Sequence, residues 1–141
     1  METAIYEEKL KNKHSQNMAV LFNAFDIQAI PEDFIKILDE GLIEFVYISR
    51  RSNIIGRAAE ICIIFPKVKK YWKIYVLYDY GYCMKYEEKP VREFMTSEGR
   101  NEEIVRLYKE GLTQVFIGHF FKLSQPSISL IVKKGRENNN E

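Results

Sequence analysis

Between Ser124 and Arg136 the chain reads SQPSISLIVKKGR, which places one amide, several small hydroxyls and a basic cluster within a single helical length. Gln125 carries a donor and an acceptor on the same flat group, Ser127 and Ser129 donate or accept, and Lys133, Lys134 and Arg136 close the run with positive charge. Such side chains hydrogen-bond to polar edges and hold anions, while Pro126 and Leu130 add small apolar contacts. Each has a plainer reading beside it, since serines near a helix start cap it and bases at a helix end complement its dipole. What favours the ligand reading is coincidence with charge: from Gly111 to Arg136 there is no Asp or Glu, whereas Lys122, Lys133, Lys134 and Arg136 are present.

Residues suited to catalysis are sparse by comparison. Glu87, Glu88 and Lys89, with Asp79 upstream, have the composition of a carboxylate and lysine metal site, but such triplets are common on exposed strand ends. His14 and His119 stand far apart without ligand-spaced neighbours. The first serine, Ser15, lies in a polar stretch with no arginines around it. No catalytic residue, metal ligand or cofactor is therefore expected, and the chain does not read as an enzyme. Cys62 and Cys83 sit in apolar, strand-like stretches without metal-knuckle or redox spacing, and are expected to be buried thiols.

The formal net charge of +1 hides an uneven distribution. Acids outnumber bases nine to four from Met1 to Tyr47, and seven bases face only Glu60 from Ile48 to Tyr75. Two acid-poor regions in a balanced chain point to anion binding. No apolar run approaches the roughly 20 residues of a membrane helix, and METAIYEEKLKNK lacks the apolar core of a secretory signal. A cytoplasmic location with no membrane partner is the expectation.

The elements that must position these residues are legible in outline. Apolar residues at helical spacing through Met18, Leu21, Phe22 and Phe25 predict one or two helices before about Ala29. IPEDFIKILDEG predicts a short amphipathic helix, with Pro31 at its start, Glu32 and Asp33 in the first turn and Gly41 at its end. LIEFVYIS, AEICIIF, WKIYVLYDY and YCMKYEE predict strands of a small antiparallel sheet, the last three forming a meander. The basic tip PKVKKY joins the second strand to the third. After EEKPVREFMTSEGR the pattern turns helical, so the fold class is α+β with residues 1–96 as a helix and antiparallel-sheet domain and 97–141 as a three-helix domain. Thr113 and Ser124 are expected to cap the second and third C-terminal helices, with the polar tail GRENNNE frayed.

LYKEGLTQVFIGHFFKLSQPSISLIVKK resembles the helix-turn-helix of the DNA-binding domains of Hin-type serine recombinases, of many transposases and of small phage and bacterial repressors. The resemblance covers about Ser97 to Gly135 and leaves the first 96 residues unassigned. Gly118 stands where the two helices pass closest, Ile117, Leu123, Ile128 and Ile131 fill the core positions, and Pro126 falls in a first turn that has no hydrogen bond to lose. Two positions depart from the pattern: Lys122 stands where the turn commonly has glycine, and Leu130 where the relatives often have arginine.

The resemblance implies a partner, double-stranded DNA, and assigns roles. Gln125, Pro126, Ser127, Ser129 and Leu130 would face base edges in the major groove, and Thr113, Gln114, Lys122, Lys133, Lys134 and Arg136 would contact phosphates. Outside the stretch the resemblance covers, the basic hairpin tip offers Lys67, Lys69 and Lys70 as possible extra phosphate contacts, like a wing. So few basic contacts per copy imply a homodimer, with Val115, Phe116 and Phe120 as an apolar stripe for docking. The expected function is sequence-specific transcriptional regulation, of phage or mobile-element character. The alternatives are a non-regulatory DNA adaptor in plasmid maintenance, replication or transposition, and a protein-interaction module.

Overall fold

The computed structural model describes residues 2–51, 56–66 and 71–139. The chain divides into two compact units, Met1–Lys89 and Pro90–Glu141. The fold class is α+β, with N-terminal helices and an antiparallel sheet followed by three C-terminal helices.

In the first unit, α1 (Glu2–Ala24), a 3-10 turn (Ile27–Ala29) and α2 (Glu32–Glu40) precede β1 (Leu42–Arg50), β2 (Arg57–Phe65), β3 (Tyr71–Asp79) and β4 (Met84–Glu88). The strands lie in sequence order as a four-stranded antiparallel meander. α2 forms where Glu32 and Asp33 meet the positive end of the helix dipole and Phe34 and Leu38, one turn apart, bury together. Leu21, Phe25, Phe34 and Leu38 pack on Ile43, Ala59, Ile61, Ile63, Tyr75 and Leu77 from the sheet. Phe34 centres an aromatic cluster, 5.8 Å from the Tyr75 ring and 4.8 Å from Tyr86, and the Tyr86 hydroxyl donates to Asp33 at 2.7 Å.

α1 is one continuous helix whose middle, KNKHSQN, is polar for a structural reason. β1 is an edge strand, and Ile43 on it turns its N–H and C=O toward α1. His14 Nδ1 accepts from the Ile43 N–H at 3.0 Å, and Asn17 Nδ2 donates to the Ile43 carbonyl at 3.0 Å. The helix thereby occupies backbone groups that an open edge would offer to another strand. Partial burial holds the His14 pKa below 6.5, against a smaller opposing pull from Asp39. Since only neutral His14 can accept from Ile43, its stabilisation is present above pH 6.5 and is lost as pH falls through the lowered folded value. Thermal unfolding from pH 7 down to about 5 is expected to show a decline that is shallower in His14→Gln.

The central strands are buried on both faces. Opposite the helix side, Glu60 is fully buried beside Cys62, Ile64, Ile74 and Val76. Arg51 Nη2 lies 3.7 Å from the Glu60 carboxylate, and the guanidinium sits 5.8 Å over the Tyr78 ring. Burial raises the Cys62 thiol well above the usual thiol range, with Glu44 adding to the shift, so it is inert packing. Cys83 is only half-buried.

Candidate nucleic-acid interface

The second unit comprises α3 (Ser97–Lys109), α4 (Gln114–Phe121) and α5 (Gln125–Asn139), with a core of Ile104, Leu107, Leu112, Phe116, Ile117, Ile128 and Val132. It begins at Pro90 rather than Ser97 because side chains of α3 hold the preceding segment. Glu103, nearly buried, accepts from the Arg92 N–H and from Arg106, which also donates to the Pro90 carbonyl at 2.6 Å and to Glu110 at 2.8 Å. Phe94 adds a ring contact with Phe121 at 5.9 Å. Thr96 caps α3 by accepting from Gly99 N–H at 3.0 Å, and Thr113 caps α4 through Phe116 N–H at 3.3 Å.

Between α4 and α5 the chain turns through 110° in three residues, Lys122 to Ser124. That angle falls in the roughly 90–120° range at which helix-turn-helix pairs cross. Lys122 adopts the left-handed conformation, φ 58° and ψ 44°. Its N–H bonds to the His119 carbonyl at 3.3 Å, and Leu123 N–H bonds to the Gly118 carbonyl at 2.9 Å, which together form a Schellman closure. The lysine therefore takes the backbone shape that glycine would take, with its side chain exposed. Gly118 is required by proximity: a Cβ there would lie 2.9 Å from the Leu123 carbonyl oxygen.

α5 starts with Ser124 Oγ accepting from Ser127 N–H at 3.3 Å. At about 100° per residue, burial of Ile128 and Val132 turns Pro126, Ser129, Leu130, Lys133 and Lys134 outward, with Gln125 and Ser127 on the two flanks. All seven are exposed, Leu130 at 53% of its surface. Ser127 is partly committed, because its Oγ lies 2.9 Å from Ser124 Oγ within the cap. Lys122 is exposed in the turn, and Thr113 and Gln114 are half-buried at the start of α4.

Arg136 is exposed; its Nη2 donates to the Tyr108 hydroxyl at 3.0 Å and its guanidinium lies 5.0 Å over that ring, which links α5 to α3. α5 also runs on to Asn139 instead of fraying after Lys134. Gly135 makes this possible, since a Cβ there would stand 2.5 Å from Val105 Cγ2. The sequence signal was a lone glycine in phase with the buried face, one turn beyond Ile131. Phe116 belongs to the core and Phe120 packs edge-on against Phe121 at 5.1 Å, leaving Val115 as the exposed member of the supposed docking stripe. Lys67, Lys69 and Lys70 lie outside the described residues.

Glu87 and Glu88 are engaged by lysines, Glu87 with Lys89 at 2.9 Å and Glu88 with Lys73 at 3.1 Å. Among the described residues no group of three or more His, Cys, Asp or Glu side chains is placed to hold a metal ion. No single helix among them is long and apolar enough to cross a membrane; α4 and α5 reach that composition only together, across their bend. Comparisons with protein families, with curated proteins and with solved structures find no match to this chain.

Proposed function

We propose that the C-terminal unit binds duplex DNA, laying the exposed face of α5 in the major groove, and that the protein is a dimeric, sequence-specific transcriptional regulator. The observation that carries this reading is the presentation of α5. A helix with small, neutral outward residues near its start and lysines near its end is held at 110° to α4 by a three-residue turn, in a stretch without acids. Gln125 has the amide geometry to pair with adenine, and Leu130 and Pro126 suit a thymine methyl. Lys122, Lys133 and Lys134 supply the phosphate contacts, with Arg136 exposed beside Tyr108 at the end of the same helix. So short a set makes two copies per site necessary, and the N-terminal unit is the dimerisation element in this reading.

Selection of preferred duplexes from a random pool, followed by salt titration, tests it. Binding is expected at two chains per duplex, with affinity falling steeply as salt rises. Gln125→Ala should relax preference at one base pair, by about 1–3 kcal/mol, and leave other sequences unaffected. Lys133→Ala should weaken all sequences alike and reduce the salt slope by about 1. Salt-independent binding, or identical losses from both variants on every duplex, would refute the assignment.

A further inference from the structure

The sheet has two edges, and the chain treats them differently. On β1, His14 and Asn17 take the outward N–H and C=O of Ile43. β4 is the opposite edge. Lys89 N–H bonds to the Ile74 carbonyl at 2.7 Å and Tyr80 N–H to the Cys83 carbonyl at 2.9 Å, so the odd-numbered residues from Cys83 to Lys89 turn their backbone groups toward β3. Met84, Tyr86 and Glu88 therefore turn theirs away from β3, and no group among the described residues meets them there.

The side chains of β4 show what fits this edge. Met84 and Tyr86 face the helices, so Lys85 and Glu87 project from the opposite face, and both are exposed. Lys85 makes no ion pair among the described residues, and Glu87 meets Lys89 through Oε2 alone. A second copy of β4, laid antiparallel with Tyr86 opposite Tyr86, pairs Met84 with Glu88 through the outward backbone groups. Lys85 of each copy then stands opposite Glu87 of the other, at the non-hydrogen-bonded sites where side chains come closest. A slide of two residues either way keeps the ladder but sets Lys85 against Lys85, or Glu87 against Glu87. Charges on an edge strand ordinarily keep other strands off; in this order they favour one self-pairing and oppose its neighbours.

We propose that two copies of the chain join through β4 about a two-fold axis at Tyr86, so that their meanders form one continuous antiparallel sheet. The inference rests on the reading of the N-terminal unit as the dimerisation element, and gives that element its surface. The backbone ladder supplies attraction that any strand could share, and the reciprocal Lys85–Glu87 pairs select a second copy of this chain. Tyr86, fixed by the Phe34 ring and by its bond to Asp33, faces its own copy across the axis as an aromatic cross-strand pair.

Sedimentation of the full chain at low salt and micromolar concentration tests the pairing by charge exchange. Lys85→Glu and Glu87→Lys are each expected to weaken self-association about tenfold, since each turns both attractive cross-pairs into repulsive ones. Mixed in equal amounts, the two variants should associate as tightly as wild type, because both acids of one chain then meet both lysines of the other. The chain carrying both exchanges should recover as well. Loss of the Glu87 contact with Lys89 inside one chain gives no such recovery on mixing. Circular dichroism melts check that each variant folds. In hydrogen exchange, the Met84, Tyr86 and Glu88 amides should be protected in wild type and open in Lys85→Glu. A dimer unmoved by the single variants, a mixture that fails to recover, or unprotected amides in a wild-type dimer would overturn the β4 pairing while leaving a dimeric regulator standing on another surface. A wild-type chain that stays monomeric at every concentration would overturn both.

Discussion

Glu60→Ala is expected to be the most destabilising single substitution in the N-terminal unit, at about 3–5 kcal/mol. The carboxylate is fully buried in the middle of β2, and Arg51 Nε and Nη2 are buried without a hydrogen-bond partner. Its attraction to Glu60 across 3.7 Å, together with the Tyr78 ring, is what compensates the guanidinium charge there. Deleting the acid leaves a cation in a low-dielectric site, which costs more than losing the pair itself. The double variant Glu60→Leu with Arg51→Met removes both charges and is expected to recover most of the stability. Trp72, the single tryptophan, lies on β3, so its fluorescence during urea unfolding reports on this unit. A Glu60→Ala midpoint within about 1 kcal/mol of wild type would remove the case for a compensated buried pair.

That pair also shows where sequence reading stops. Glu60 reads as the lone acid in a basic stretch, and although the near-continuous apolar run of β2 is what a strand covered on both faces shows, nothing local names Arg51 as the partner of its carboxylate. The strands themselves, the short α2 and the caps at Thr113 and Ser124 were legible because each is written in neighbouring residues: β-branched runs, a one-turn apolar pair, a hydroxyl three residues ahead of an N–H. What was hidden depends on partners far along the chain. The polar middle of α1 looks solvent-facing, yet His14 and Asn17 serve Ile43 almost thirty residues away, in the sense that their separations are 29 and 26 positions. The unit boundary moved to Pro90 because Glu103 and Arg106 hold residues 90–92, a link with no local pattern. The contact of Arg136 with Tyr108 joins residues 28 positions apart and likewise has no local pattern. The outward set on α5 followed from the placement of its buried residues, so the geometry of that candidate face was readable even where its ligand was not.

Replacing Gly118 with valine is expected to dismantle the α4–α5 turn and abolish duplex binding. Any Cβ at this position meets the Leu123 carbonyl oxygen at 2.9 Å, and that backbone is itself fixed by the Leu123 N–H bond to Gly118. Overpacking of this kind costs about 1–3 kcal/mol, and a unit of 52 residues, Pro90 to Glu141, has only about 3–8 kcal/mol to lose. Gly118→Ala separates the causes, since alanine favours the helix by about 1 kcal/mol yet meets the same oxygen. Lys122→Gly acts in the opposite direction on the same turn: it relieves a left-handed strain of about 1–2 kcal/mol, offset in part by the greater freedom glycine brings to the unfolded chain. Combined with Gly118→Ala it should restore part of the lost midpoint in a melt followed by far-ultraviolet circular dichroism. Duplex affinity should fall in Gly118→Val and hold in Lys122→Gly apart from the one phosphate contact removed, because the turn sets the angle of α5 while the lysine only adds charge beside it. A Gly118→Val protein with unchanged melting and unchanged duplex affinity would mean that α5 does not depend on this crossing for its presentation, and the interface would have to lie elsewhere.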